Sequence, residues 1–380
     1  MRKLISKSNY SNQILTTYPS ITYPAHTSMI TGVDPSQHGI YFNIPLDPLK
    51  KYPGSWLWYD EEIKVKTLLD IAKENYYKTG NIYWPVTVGA KINFNIPQYW
   101  KNKTDEDEKL LRALSTAGLY DEIKNITKSS VLETTGDEEK IDAAIALWKL
   151  KKPEVMLVYT TDLDSIHHEK GIYSAEAKQK LQKIDSLVGK FIEQINLYKE
   201  KNLSLIVVSD HGFKEVKSLC YPNHFLIEKN LLNPKEQKWN YYFKTHGGGA
   251  ILLENPDRSF FSTEVNLEEL KKEFEEKCPT SNFRTGESLK EIQEKFHPNA
   301  IAALDSESGM AFSESSTVNE FFRVANPTYF NHGFPPDQEE IKTILISYPK
   351  KEKAKLESVK DVFTLACNWL QIKCKKNQSR

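Results

Sequence analysis

The chain has 380 residues, 51 basic and 51 acidic, so its formal net charge is zero and it offers no electrostatic footprint for nucleic acid or an acidic membrane surface. Hydrophobic residues make up 39% and aromatics 11%, the composition of a globular protein long enough for a large core with an inserted cap. No run reaches the roughly 18 apolar residues of a membrane span, and the basic N-terminus lacks the apolar stretch of a signal peptide.

Taken in order, Arg2-Lys-Leu-Ile-Ser-Lys7 reads as the last turns of an amphipathic helix whose beginning is not in the chain. Tyr18-Pro-Ser-Ile-Thr22-Tyr23-Pro24 is a turn feeding a helix, with Pro24 at the first helical position. Thr22 then stands just before the helix N-terminus, where orphan N–H groups welcome an anion and a hydroxyl either caps the helix or attacks a bound phosphate. A turn-rich aromatic segment follows to Asp60, then a helix over Lys64–Tyr77 and a short strand at Asn81–Trp84. Two helices come next, joined by an acidic link at Glu133–Glu139, the second ending near Lys152. Val155–Tyr159 and Leu203–Val208 are continuous apolar runs, expected as strands buried on both faces. Between them a helix over Ser174–Lys199 directs Leu181, Leu187, Phe191 and Ile192 inward. Residues 214–330 break this rhythm with short strands (Gly249–Leu253), a charged helix (Leu267–Cys278) and many turns. The chain closes with a strand at Thr343–Ser347, a helix at Val359–Leu370 and a solvated tail from Lys375 to Arg380. The alternation predicts an α/β fold with a largely parallel central sheet flanked by helices and a smaller irregular α+β excursion. Residues 1–213 and 331–380 form the core, and 214–330 hold later core strands plus a cap.

Both apolar strands end in a carboxylate and an imidazole. Asp164 and His168 are four residues apart, on one face of any helical turn that follows the first strand; Asp210 and His211 are adjacent at the end of the second. Open α/β sheets gather ligands at the carboxyl ends of their strands, so these ends should share one crevice. With His332 in a late Gly/Pro loop, the set makes a mixed oxygen/nitrogen site for zinc. Two such metals about 4 Å apart clamp the attacking and leaving oxygens of phosphoryl transfer. The four cysteines (Cys220, Cys278, Cys367, Cys374) include no CxxC pair. Cys367 and Cys374 reach each other only if their helix ends between them.

The motifs Tyr18-Pro-Ser-x-Thr22-Tyr23-Pro-x-His26, Thr31-Gly, His38-Gly-Ile-x-x-Asn43, Trp84-Pro, Asp164-x-x-x-His168, Ser209-Asp-His-Gly212 and Asn331-His-Gly333 resemble, in order, those of the type I phosphodiesterase/nucleotide pyrophosphatase family in the alkaline phosphatase superfamily. The resemblance covers most of the chain. It implies Thr22 as nucleophile of a covalent intermediate and Asn43 as donor to a phosphoryl oxygen. It also implies Asp164, His168 and His332 as ligands of one zinc, and Asp210, His211 and Thr22 as ligands of the other. Tyr23 matches a position that stacks on a nucleobase, and reads equally as a core aromatic; Trp84 joins the substrate-binding set. Ala25 replaces a common Asn. The implied substrate is a small nucleotide or phosphodiester, not duplex nucleic acid, and the implied location is periplasmic or extracellular.

One departure bears on the second metal. The family supplies it with an Asp at the end of a first strand, upstream of the nucleophile, yet no acid precedes Asp34 here. The expected sheet is therefore one strand short and the Thr22-side metal one carboxylate short, as in a truncated form. Beside the two-zinc hydrolase stand a weakly active remnant binding one zinc or a nucleotide, a diesterase for lipid-headgroup or choline esters, and a monoesterase or mutase of the same superfamily.

Overall fold

The computed structural model describes every residue except 258–263, 280, 307–308, 317–319, 352–355 and 376–377. Two three-stranded sheets form the floor of the molecule. In the first, Thr79–Ile82 lies between Phe94–Ile96 and Val155–Val158, all parallel. In the second, Thr343–Tyr348 lies between Asn9–Ile14 and Leu205–Val208 and runs antiparallel to both. Helices cover both faces, giving the α/β architecture expected from the alternation. On one side Asp137–Lys151 and Ala175–Gln194 bring Ile141, Ile145 and Leu187 against Val158. On the other, Thr22–Thr31, Leu68–Glu74 and Asp361–Leu370 bring Met29, Leu69 and Phe363 against Leu157, Ile206 and Leu345. Helix Thr22–Thr31 is buried along its whole length, which is why its sequence shows no polar face.

Among the described residues, 214–331 build three further sheets, the smallest the two-stranded pair Leu232–Asn233/Lys238–Trp239. Lys214–Cys220 pairs with Met310–Phe312 in parallel and with Phe322–Asn331 in antiparallel. Ser281–Arg284, Ala302–Ser306, Gly249–Glu254 and Tyr241–Thr245 form a four-stranded antiparallel sheet. Phe225, Phe243, Phe274 and Leu304 pack beneath it as one core.

Several expectations are corrected. Val155–Val158 and Leu205–Val208 are mostly half-buried rather than fully enclosed; among the described residues each is hydrogen-bonded to a strand along one edge only. Asn9–Ile14 is a strand that polar Ser11, Asn12 and Gln13 hid; it lies on a sheet edge, where one side meets water. The helix expected over Lys64–Tyr77 spans Leu68–Glu74, started by a capping box in which Thr67 and Asp70 bond each other's backbone N–H. Three helices, not two, occupy the middle (Asp107–Leu114, Leu119–Thr127, Asp137–Lys151), since left-handed Gly118 breaks the first stretch. Leu181 is 56% exposed, so the buried side of its helix runs through Ala177, Leu187 and Ile192 instead. The C-terminal tail is docked rather than solvated: Arg380 forks between Asp60 at 2.8 Å and Asp70 at 2.6 Å, a planar donor set matched to two carboxylates. Lys376 and Asn377 lie outside the described residues.

The cysteines pair as Cys220–Cys278 and Cys367–Cys374. The second bridge forms because the helix ends at Leu370. The first ties the start of helix Pro222–Glu228 to the end of helix Leu267–Lys277. Replacing Cys220 and Cys278 by serine is expected to cost about 4 kcal/mol, the closure entropy of a loop spanning 58 residues; a shift of the urea midpoint measures it.

Candidate active site

The site lies where the two floor sheets end. Helix Thr22–Thr31 starts at Thr22 itself, with extended Ile21 as its cap residue. Thr22 is thus the first helical residue and Pro24 the third, two positions later than the proline rule suggested. The Thr22 hydroxyl is not used as a cap and lies 3.4 Å from Nε2 of His211. The Thr22 carbonyl accepts from Nδ1 of His26 at 2.8 Å. Asn43, twenty residues on, accepts from the Tyr23 backbone N–H at 2.8 Å through Oδ1. That bond fixes the amide beside Thr22 and leaves its NH2 as the donating end.

Asp164 enters on helix Asp162–Lys170, which follows strand Val155–Val158 after one turn. Its start is clamped from outside: Asp137, at the head of the next helix over, accepts from the N–H groups of Thr161 at 2.7 Å and Asp162 at 3.1 Å. Fully buried Lys140 balances Asp137 at 3.6 Å. His168, one turn beyond Asp164, places Nε2 3.5 Å from Asp164 Oδ1, and its Nδ1 donates to the Phe330 carbonyl at 3.2 Å.

His211 and His332 are 121 residues apart, yet their rings stack with centroids 3.8 Å apart. The antiparallel ladder Lys214–Cys220/Phe322–Asn331 explains it. Asn331 sits opposite Lys214, so the residues just outside the ladder, His211 and His332, meet at its open end. Asp164, His211 and His332 offer ligand atoms all within 4.8 Å of one another. His332 Nε2 is 3.9 Å from Asp164 Oδ1, and Asp210 Oδ2 is 3.3 Å from His211 Nε2. The two ligand sets expected from the sequence therefore touch: the cluster takes Asp164 and His332 from one set and His211 from the other.

Electrostatics favour a bound cation. Burial holds His211 down to about 3 and His332 well below its usual range, so both imidazoles stay neutral, the form that ligates metal. Burial, helped by the charges of Asp210 and Glu133, raises Asp164 to about 7. Buried Asp164 Oδ1 and His332 Nδ1 have no hydrogen-bond partner. An orphaned oxygen beside neutral imidazoles is the donor set zinc takes. With Asp164 the one member to shed a proton, zinc affinity is expected to fall about tenfold per pH unit below about 7 and to level off above it. Titrating the metal-free chain with zinc at several pH values checks this, and Asp164→Asn should remove the slope.

Two residues singled out for substrate contact sit deeper than that role suggests. Tyr23 is fully enclosed in an apolar cluster with Val33, Ile40 and Val65, its ring 5.3 Å from Trp56. Trp84 is 7% exposed and packs edge-on against His26 at 4.7 Å. His26 is a site residue that the sequence reading left without a role. Held between Trp84 and Tyr159, it gives its Nδ1 proton to the Thr22 carbonyl and lies 3.6 Å from the Asp210 carboxylate. Its place two residues past Pro24 in the Tyr18–His26 motif was the available signal. Glu133, bonded to the Tyr83 hydroxyl at 2.9 Å, charges the same pocket; nothing in its acidic link announced that.

The family model described as type I phosphodiesterase / nucleotide pyrophosphatase matches residues 1–333. The chain belongs to this family. Ectonucleotide pyrophosphatase/phosphodiesterase family member 1 of mouse is 27% identical over 296 residues, covering 74% of this chain and 28% of that protein. Its human counterpart is 28% identical over 284 residues, covering 68% and 27%. The chain thus spans about a quarter of the length of these curated relatives. Murine ectonucleotide pyrophosphatase/phosphodiesterase 5, an inactive T72A form in complex with AMP, superposes over 100% of this chain and 91% of its own, with a TM-score of 0.68 and 17% identity. That likeness carries the fold. Among the described residues, no helix of this family member is long and apolar enough to cross a membrane.

Proposed function

We propose that this member of the family hydrolyses phosphodiester or pyrophosphate bonds in nucleotides through a covalent threonine intermediate. One observation carries the reading: the uncapped Thr22 hydroxyl stands at a helix N-terminus, 3.4 Å from a histidine of the Asp164–His211–His332 cluster. Thr22 Oγ1 attacks phosphorus, the bond from phosphorus to the leaving oxygen breaks, and water later releases the monoester from Thr22. The helix N-terminus and the Asn43 amide hold the phosphoryl oxygens as charge develops on them. Asp164, His168 and His332 would hold one zinc, and Asp210, His211 and Thr22 a second. Bound zinc supplies positive charge that lowers the hydroxyl's pKa and neutralises the phosphoryl group. The core is residues 1–213 with 331–380, and 214–330 supply later core strands together with a cap. Two disulfides fit an oxidising compartment, periplasmic or extracellular.

The test is hydrolysis of a p-nitrophenyl phosphodiester by the zinc-loaded chain, abolished by chelation and restored by zinc. A chain that holds zinc and leaves the diester intact would overturn it. A second reading, a one-metal remnant, is favoured by the tightest cluster among the described residues having three ligands. Elemental analysis separates the two, since the remnant holds about one zinc per chain.

A further inference from the structure

The turn that presents Thr22 is pinned along its length. At its far end the Tyr23 N–H donates to Asn43 and the Thr22 carbonyl accepts from His26. In its middle the Ser20 carbonyl accepts from the Gly333 N–H at 3.0 Å, and the Ser20 hydroxyl donates to the Phe334 carbonyl at 2.7 Å. At its near end the Tyr18 hydroxyl donates to Oδ1 of Asp305 at 2.5 Å. That last bond ties the turn to strand Ala302–Ser306 of the four-stranded sheet.

Packing alone does not call for it. The Tyr18 ring lies in an apolar cluster with Ile251, Leu289 and Phe296, edge-on to Phe296 at 5.4 Å and to His246 at 5.5 Å. A phenylalanine ring would fill the same space. Asp305 is 1% exposed and follows Ala302, Ala303 and Leu304 along its strand. A carboxylate is costly there unless it is paired and hydrogen-bonded. Arg284, diagonally across the ladder, brings Nε to 2.7 Å from the second oxygen, Oδ2. The carboxylate is thus held at both oxygens, one by the guanidinium and one by the phenol.

Buried polar sets of this kind add little stability over an apolar replacement; what they supply is one fixed arrangement. A charge-assisted O–H···O⁻ bond is short and directional, so it sets where the Tyr18 side chain points. Thr22 follows four residues later in the same turn. The strand of Asp305 also stands behind His332. The Ser306 N–H donates to the Gly248 carbonyl at 2.9 Å, and the Gly248 N–H donates to the His332 carbonyl at 3.3 Å. One buried carboxylate therefore backs the segments that carry both Thr22 and His332.

We propose that Asp305 is a positioning residue for Thr22: through the Tyr18 hydroxyl, the four-stranded sheet sets the turn that aims the nucleophile. Arg284 orients the carboxylate for that bond. The nucleophilic role of Thr22 comes from the function proposed above; the anchoring of its turn is independent of it.

Tyr18→Phe keeps the ring and removes the bond. Hydrogen exchange followed by mass spectrometry reads the turn without reference to metal or activity. Amides of Ile21, Tyr23 and Gly333 should exchange about tenfold faster or more in this variant, while those of Ala302–Leu304 keep their rates. On a p-nitrophenyl phosphodiester, kcat should fall by about tenfold to a hundredfold with KM within about twofold, because a misaimed nucleophile loses rate rather than binding. Asp305→Asn retains an acceptor oxygen for the phenol and should retain most of the kcat. Asp305→Leu should lose as much as Tyr18→Phe, and the two together no more than either alone. Unchanged exchange in the turn of Tyr18→Phe, or equal loosening of turn and sheet, would overturn the anchoring. Undiminished kcat in a variant whose turn exchanges faster would overturn the aiming of Thr22. A wild-type chain that leaves the diester intact counts against the nucleophile instead, and the exchange pattern still decides the anchor.

Discussion

Replacing Thr22 by alanine is expected to lower phosphodiester turnover by at least about a thousandfold, the usual cost of removing a nucleophile, with little change in stability. Among the described residues, the hydroxyl's one close polar contact is His211 at 3.4 Å, too long to hold much of the fold together. The bonds that shape the turn come from backbone atoms, the Thr22 carbonyl to His26 and the Tyr23 N–H to Asn43, and alanine keeps both. Thr22→Ser retains the oxygen at the helix N-terminus and should retain a measurable part of the activity. Steady-state kcat/KM on a p-nitrophenyl phosphodiester, with melting temperature as the folding control, decides the matter. Undiminished turnover in Thr22→Ala would remove the covalent step from this chain.

A comparably large effect, on folding rather than chemistry, is expected at Gly333. Its φ is +83°, and a Cβ there would lie 1.5 Å from the His246 carbonyl oxygen. Backbone meets backbone at this crossing: Gly333 N–H donates to Ser20 at 3.0 Å and Gly248 N–H to His332 at 3.3 Å. Nδ1 of His246 donates to the Gly333 carbonyl at 2.9 Å. No rotamer relieves such a collision, so Gly333→Ala must push the two chains apart and carry His332 with them. We expect a loss of about 4 kcal/mol or more, against about 1 kcal/mol for Gly54→Ala. Gly54 has the same sign of φ, at +79°, and open space around it, so the pair separates collision from backbone preference. Denaturant unfolding of both variants measures the difference, and a zinc titration of Gly333→Ala should show weaker binding as His332 leaves the cluster. Equal costs at the two glycines would refute the close-approach argument.

The sequence alone determined the alternation of elements and therefore the fold class. Apolar runs such as Val155–Val158 and the spaced Leu187, Phe191 and Ile192 report local periodicity, which is a property of neighbouring residues. It also singled out the chemistry-bearing groups near the site, because carboxylate–imidazole pairs at strand ends and a Thr before a Pro are short-range patterns. Periodicity says which face a residue takes but not whether a neighbour covers it. That is why Leu181 is exposed, why both site-bearing strands are half-open, and why the polar edge strand Asn9–Ile14 went unseen. The stacking of His211 on His332 depends on strand register across more than a hundred residues. The role of His26 depends on an aromatic clamp drawn from Trp84 and Tyr159. The docking of Arg380 on Asp60 and Asp70 joins opposite ends of the chain. Only tertiary structure decided these, because each depends on contacts between distant segments whose meeting is set by sheet topology and packing rather than by local sequence.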